Sequence, residues 1–134
     1  AGTPDIAGII GLGAAVDFIN SIGMQTIHDY EKELVDYTIQ CLSEFDEVEI
    51  YAKDAEHSGA VSFNLKFDGV HSSDVGMILD KKGIAVRTGH HCAQPIMQHF
   101  NIPGTVRASF AVYNTKEEID TFIEGLKTAI RMLG

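Results

Sequence analysis

The sequence predicts an α/β domain, a two-layer α/β sandwich with a largely antiparallel sheet. Three observations point to it. Two stretches with helical character lead the chain, four short strand-like stretches follow with helical ones between them, and a capped amphipathic helix closes it. With 134 residues the chain reads as a single domain over 1–134, long enough to bury roughly two thirds of its unfolded surface.

In order, Thr3 is expected to cap a helix that begins at Pro4, runs to Ile22 and stops at Gly23. Its glycines, Gly8, Gly11 and Gly13, satisfy no phosphate-loop pattern because no strand precedes them, so close packing against another element is the expected reason for them. A second helix, Thr26 to Phe45, carries the stripe Ile27, Tyr30, Leu34, Tyr37, Cys41, Phe45. Val48 to Tyr51 alternates as a strand, and Ala60 to Phe67 alternates as its antiparallel partner across a turn-like run around His57. Ser72 or Ser73 can cap a third helix that turns Val75, Ile78 and Leu79 inward and stops at Gly83. Ile84 to Val86 reads as a buried strand, and Pro95 suits the first position of a short helix through Ile96, Met97 and Phe100. Past the turn Ile102-Pro103-Gly104, the strand Thr105 to Phe110 puts Val106, Ala108 and Phe110 on one face and Arg107 and Ser109 on the other. Thr115 with Glu118 forms a capping box for a last helix whose face is Ile119, Phe122, Ile123, Leu126 and Ile130.

Chemistry concentrates in Arg87-Thr88-Gly89-His90-His91-Cys92-Ala93-Gln94, where no large apolar residue occurs. Free cysteines are usually small core hydrophobes, and Cys41 on its helical stripe fits that pattern. Cys92 does not. It lies in a polar loop ahead of a helix N-terminus, where free amides, the helix dipole and flanking imidazoles favour a thiolate. The chain has three arginines: Arg131 suits the end of the last helix, while Arg87 and Arg107 bracket the cysteine loop. A planar guanidinium matches a carboxylate with two parallel bonds, although a surface ion pair would explain an arginine equally well.

Nineteen acidic against ten basic residues, net charge -9, and no basic run argue against a nucleic-acid backbone as partner. Neither a signal-peptide pattern nor eighteen consecutive apolar residues occurs, so no membrane is expected as partner. Two cysteines in such different settings make a poor disulfide framework, and a reducing cytoplasm is the expected compartment.

The run Arg87 to Pro95, the run Val106 to Thr115 and the opening Ala1-Gly2-Thr3-Pro4 together resemble the C-terminal portion of Suf-type (group II) cysteine desulfurases. These are pyridoxal-phosphate enzymes of the class V aminotransferase group, with selenocysteine lyases close beside them. The resemblance covers essentially the whole chain and matches the short-loop subgroup at Arg87 to Cys92. It implies the small domain of a fold-type I transferase, with 1–23 as a linking helix and 24–134 as the compact part. It implies that Cys92 is the nucleophile that takes sulfur from L-cysteine as a persulfide, leaving L-alanine, in the service of iron–sulfur cluster assembly. Arg107 matches the arginine that grips the substrate carboxylate, Arg87 one lining the same pocket, and His90 and His91 the loop imidazoles beside the thiol. Gly2 and Thr3 match a segment that approaches the cofactor phosphate of the neighbouring subunit in the family's homodimer. A Suf-type sulfur-acceptor protein is the implied partner, and L-selenocysteine the alternative substrate.

The same resemblance implies a departure. The Schiff-base lysine of the family lies upstream of this chain, and none of the seven lysines here follows the family's Ser-Gly-His-Lys pattern. The expectation is a C-terminal fragment of a longer enzyme, inactive alone. The alternative from another class is a thiol-redox or metal-binding module using His90, His91, Cys92 and His99. Adjacent histidines that diverge, the lack of a second ligand pair and the lack of a resolving cysteine near Cys92 count against it.

Overall fold

A computed structural model describes residues 2–134 as five helices and four strands; Ala1, first residue of the opening motif, lies outside them. The elements are α1 (Ile6–Ile22), α2 (Met24–Leu42), β1 (Val48–Ile50), β2 (Ala60–Leu65), α3 (Ser72–Asp80), β3 (Arg87–Gly89), α4 (Gln94–Phe100), β4 (Thr105–Ser109) and α5 (Lys116–Leu133). The sheet is antiparallel throughout, in the order β1-β2-β4-β3. The chain leaves β2 through α3, places β3 at the far edge, and returns to insert β4 between them. β4, like β2, is therefore hydrogen-bonded on both sides, which fixes it within the sheet.

Alternation decides the two faces. Val61, Phe63 and Leu65 of β2 with Val106 and Ala108 of β4 are buried under the helical layer, joined there by Leu34, Leu42, Leu79, Ile119 and Leu126. Phe63 and Phe122 meet edge-to-face with ring centroids 5.8 Å apart, a geometry worth about 0.5–1.5 kcal/mol beyond its area. The opposite face carries Ser62, Asn64, Thr105, Arg107 and Ser109. The capping box at α5 forms as expected: Thr115 accepts from the Glu118 amide and Glu118 from the Thr115 amide.

Several boundaries differ from the sequence expectation, each for a local reason. α1 starts at Ile6 because Asp5, not Thr3, caps it, its Oδ1 accepting from the Gly8 amide at 3.0 Å. A carboxylate also suits the positive helix end. α2 buries Leu34, Val35, Thr38 and Leu42, and the expected stripe is rotated toward its flank. Tyr30 and Tyr37 sit there because their hydroxyls need partners, donating to the Asn114 carbonyl and to Asp120, each at 2.7 Å. α3 is capped by His71, whose amide donates to Asp74 at 2.9 Å, rather than by a serine. α4 begins at Gln94, one residue before Pro95. β1 and β2 end at Ile50 and Leu65, and β4 at Ser109, each one or two residues short of the alternating run.

The largest displacement is at β3. The ladder runs over Arg87–Gly89, not Ile84–Val86, pairing Arg87 with Arg107, Thr88 with Val106 and Gly89 with Thr105. A Cβ on Gly104 would lie 2.7–2.8 Å from the backbone of Gly89, so the missing side chain at Gly104 lets the strands start at this register. α1 also departs from expectation. Its glycines pack against no other element, Gly11 and Gly13 having nothing within 4 Å of a Cβ, and none of its residues is buried. Ile6, Ile9, Ile10, Leu12, Val16 and Phe18 are all exposed. α1 and α2 meet at a bend of 73°, and no single helix among the described residues is long and apolar enough to cross a membrane.

Candidate active site

The site is built on the free face of β4 and the turn that follows β3. Arg107 on β4 is opposite Ser62 of β2 on one side and Arg87 of β3 on the other. Two guanidinium groups directly opposite on one face repel each other unless an anion lies between them. Nineteen carboxylates are available in the chain, yet among the described residues the ion pairs are Lys32–Asp36, Lys116–Glu33 and Lys127–Glu124, none involving arginine. Arg107 uses only its Nε, donating to Ser109 Oγ at 3.1 Å, which leaves the terminal amines of its fork unengaged within the chain. Arg87 Nη2 is 4.0 Å from the sulfur of Cys92. An arginine pair without acidic partners next to an exposed thiol has the chemistry to hold an anion beside a nucleophilic sulfur.

The thiol is held in a tight turn. His91 and Cys92 both adopt left-handed backbone conformations, with φ of 54° and 58°. The Ala93 amide closes the turn on the His90 carbonyl at 2.8 Å, and the Cys92 amide donates to His90 Nδ1 at 3.2 Å. His91 points the other way: its Nε2 lies 3.1 Å from the Thr105 carbonyl and 2.9 Å from Thr105 Oγ1. Burial, then the Arg107, Arg87 and His90 charges against the pull of the Thr105 carbonyl, set the imidazole pKa below its ordinary value. The two histidines thus diverge, as their adjacency implies. Among the described residues no three His, Cys, Asp or Glu side chains converge as metal ligands.

A cavity of about 340 Å³ opens on this face, lined by Arg107, His91, Thr105 and Ser62 and walled by Tyr51, Ile96, Met97 and Phe100. Tyr51 leans on Phe100 with centroids 5.5 Å apart, and burial first raises its phenol pKa. His57 places both ring nitrogens at backbone carbonyls, Ala52 at 3.0 Å and Ala60 at 3.1 Å, which fixes the loop forming the far wall. Cys92 and Arg87 are adjacent to the cavity lining without belonging to it. A second hollow of about 390 Å³, between Ile84, Phe110 and Phe122, contains no cationic side chain. Cys41 is half-buried, and desolvation raises its thiol pKa.

The structure therefore brings together Cys92, Arg87, His90, His91 and Arg107. Gly2 and Thr3 stay apart from them, exposed ahead of α1 and outside the cavity lining. Sequence reasoning missed Thr105, Tyr51, His57 and Ser62. Thr105 was within reach, since it shares a face with Arg107 by alternation; the loop contacts of His57 leave no sequence signal.

The sequence pattern of the aminotransferase class-V family matches residues 1–122. The chain belongs to that family. The cysteine desulfurase of Serratia proteamaculans is 46% identical over 134 residues, all of this chain and 32% of that protein. Among solved structures, the apo cysteine desulfurase of Thermococcus onnurineus matches 99% of this chain and 33% of its own, with 46% identity and a TM-score of 0.89. The Escherichia coli cysteine desulfurase CsdA, in an S-sulfonic acid form, matches with 34% identity and a TM-score of 0.90 over 100% of this chain and 33% of its own. The chain spans about a third of the length of the relatives it matches.

Membership implies pyridoxal phosphate, and the residues present do not by themselves make its cradle. No lysine lines the cavity beside Arg107. Lys32, Lys116 and Lys127 are paired with carboxylates elsewhere, and Lys66 donates to the Asp46 carbonyl. Gly2 has nothing within 4 Å of a Cβ position. What this chain offers is a guanidinium fork with its terminal amines unengaged within the chain, and an exposed thiol.

Proposed function

We propose that this chain is the sulfur-accepting third of a pyridoxal-phosphate-dependent cysteine desulfurase of the short-loop Suf type, with the cofactor and its lysine held by the rest of a longer protein. The observation that carries the reading is the cross-strand pair Arg87–Arg107, free of acidic partners, beside the exposed sulfur of Cys92. The uncovered apolar residues of α1 support the reading as well, because a helix apolar on all sides is normally an interior one.

In this role Arg107 binds the carboxylate of L-cysteine through its free fork, and Arg87 adds charge on the thiol side. The Cys92 thiolate attacks the substrate sulfur and forms an S–S bond. The C–S bond breaks, its electron pair stays with carbon, and carbon takes up a proton to give L-alanine. Atoms and charge balance with no added oxidant or reductant, and Cys92 ends as a persulfide. The exposed turn then hands that sulfur to an acceptor protein of the Suf type for iron–sulfur cluster assembly, in a cytoplasmic homodimer.

The test uses the full-length protein loaded with pyridoxal phosphate. Arg107→Lys keeps the charge but loses the fork, so L-cysteine affinity should fall by about 1.5–3 kcal/mol, roughly ten- to a hundredfold. Cys92→Ser should bind L-cysteine normally, read by cofactor absorbance, yet release no alanine in step with persulfide. Normal affinity in the first variant and lost affinity in the second would reverse the assignment, and a strong preference for L-selenocysteine would move the reading to a selenocysteine lyase.

A further inference from the structure

Two consecutive left-handed residues, His91 and Cys92, both with a Cβ, make a backbone that persists only where surrounding contacts over-determine it. Two of the bonds that hold this turn are internal to it: Ala93 N–H to the His90 carbonyl, and Cys92 N–H to His90 Nδ1. His91 supplies the bond that leaves the turn, reaching Thr105 on β4. A carbonyl oxygen can only accept, so the proton of the His91 imidazole is on Nε2. Its Nδ1 is then a bare lone pair, and it is buried without a partner.

We propose that His91 is the positioning residue for the Cys92 thiol: its neutral, Nε2-protonated ring ties the strained turn to Thr105, two residues from the substrate fork of Arg107 on the same strand. The proposal rests on the desulfurase reading for its catalytic consequence, although the tie itself does not. The thiol and the fork are thereby mounted on one rigid element, β4, which is hydrogen-bonded on both edges. The charged and titratable groups around His91 act in one direction. Burial first, then Arg107 from β4, Arg87 from β3 and His90 from the turn, disfavour a charged ring, against the opposing pull of the Thr105 carbonyl. A second proton would land on Nδ1, where no acceptor waits.

A ring that merely fills space would be replaced by phenylalanine without consequence, so the test separates volume from donor. His91→Phe keeps the ring and loses the N–H; His91→Gln places an amide N–H at similar reach. Two measurements are made on each. The first is amide hydrogen exchange at Ala93 in this chain, whose N–H closes the turn; it should speed up about tenfold or more in His91→Phe and return toward wild type in His91→Gln. The second is single-turnover persulfide formation in the full-length, cofactor-loaded protein. The Phe variant should slow it by about ten- to a hundredfold, the usual effect of a displacement near 1 Å, with L-cysteine affinity changed by less than about threefold, and Gln should recover most of the rate. Wild-type exchange at Ala93 in His91→Phe, or a Gln variant no better than Phe, overturns the proposal. Altered exchange together with a wild-type enzyme that places no sulfur on Cys92 supports the tie and overturns the desulfurase reading instead.

Discussion

Replacing Gly104 by alanine gives a sign that separates the fold described above from other registers of β3. Gly104 has an ordinary backbone φ, so an alanine there is conformationally allowed and, by restricting the unfolded chain, would stabilise the protein by about 0.4–1 kcal/mol if nothing stood in the way. In this fold something does. The new Cβ would meet Gly89 C at 2.7 Å and its Cα and O at 2.8 Å, against about 3.5–4.0 Å for relaxed carbon contacts. Those are backbone atoms of the neighbouring strand and cannot swing aside as a side chain would. Overpacking of this kind costs about 1–3 kcal/mol, a fall in Tm of roughly 3–10 °C for a domain of this size. Thermal and urea unfolding followed by circular dichroism read the change, and amide chemical shifts at 87–92 report whether β3 moves. Gly83→Ala is a useful contrast, since its site is spatially open and only its positive φ resists. A Gly104→Ala variant as stable as wild type, or more so, would refute the pairing of Gly89 with Thr105, and with it the placement of Arg87 opposite Arg107.

Two further outcomes follow from the thiols and from His91. Cys92 is exposed and next to a guanidinium, whereas Cys41 is half-buried with its pKa raised, so iodoacetamide at neutral pH should label Cys92 at least about tenfold faster; equal rates by peptide mapping would contradict the assignment. The lowered pKa of His91 has a definite sign in stability. Near pH 6.5 and below, the unfolded chain binds a proton at this ring that the folded chain resists, so this group's share of stability is complete above that pH and falls as pH drops toward the folded pKa. Urea midpoints between about pH 5 and pH 7.5 should therefore rise with pH less steeply in His91→Gln than in wild type; an equal or steeper rise in the variant would argue that the ring is already charged in the fold.

The parts of this structure that were legible in the sequence are those encoded over short spans. Alternation from Thr105 to Ser109 separated Arg107 from Val106 and Ala108, and Thr115 with Glu118 marked the start of α5 within a single turn. What escaped depends on residues far apart in the chain. The ladder position of β3 depends on the missing Cβ of Gly104 against the backbone of residue 89, and nothing local to Gly104 announces that partner. Ile84 to Val86 looked like the strand because Ile84 and Val86 pack on the core, but packing and ladder pairing are separate conditions. The α2 stripe was rotated because Tyr30 and Tyr37 count as apolar in a pattern while their hydroxyls demand an edge. For the site, the cluster Arg87 to Cys92 was visible as a run, and its contact with Thr105 required the fold.

Where substrate sulfur goes tests the proposed desulfurase role most directly. The full-length protein, loaded with pyridoxal phosphate and given one equivalent of L-cysteine, is quenched with an alkylating reagent and its peptides are mapped by mass spectrometry. The expected result is one additional sulfur atom on the peptide containing Cys92, none on the peptide containing Cys41, and one L-alanine released per sulfur bound. Alanine released with no sulfur on Cys92, or sulfur found on Cys41, would contradict the assignment of Cys92 as the sulfur-accepting thiol.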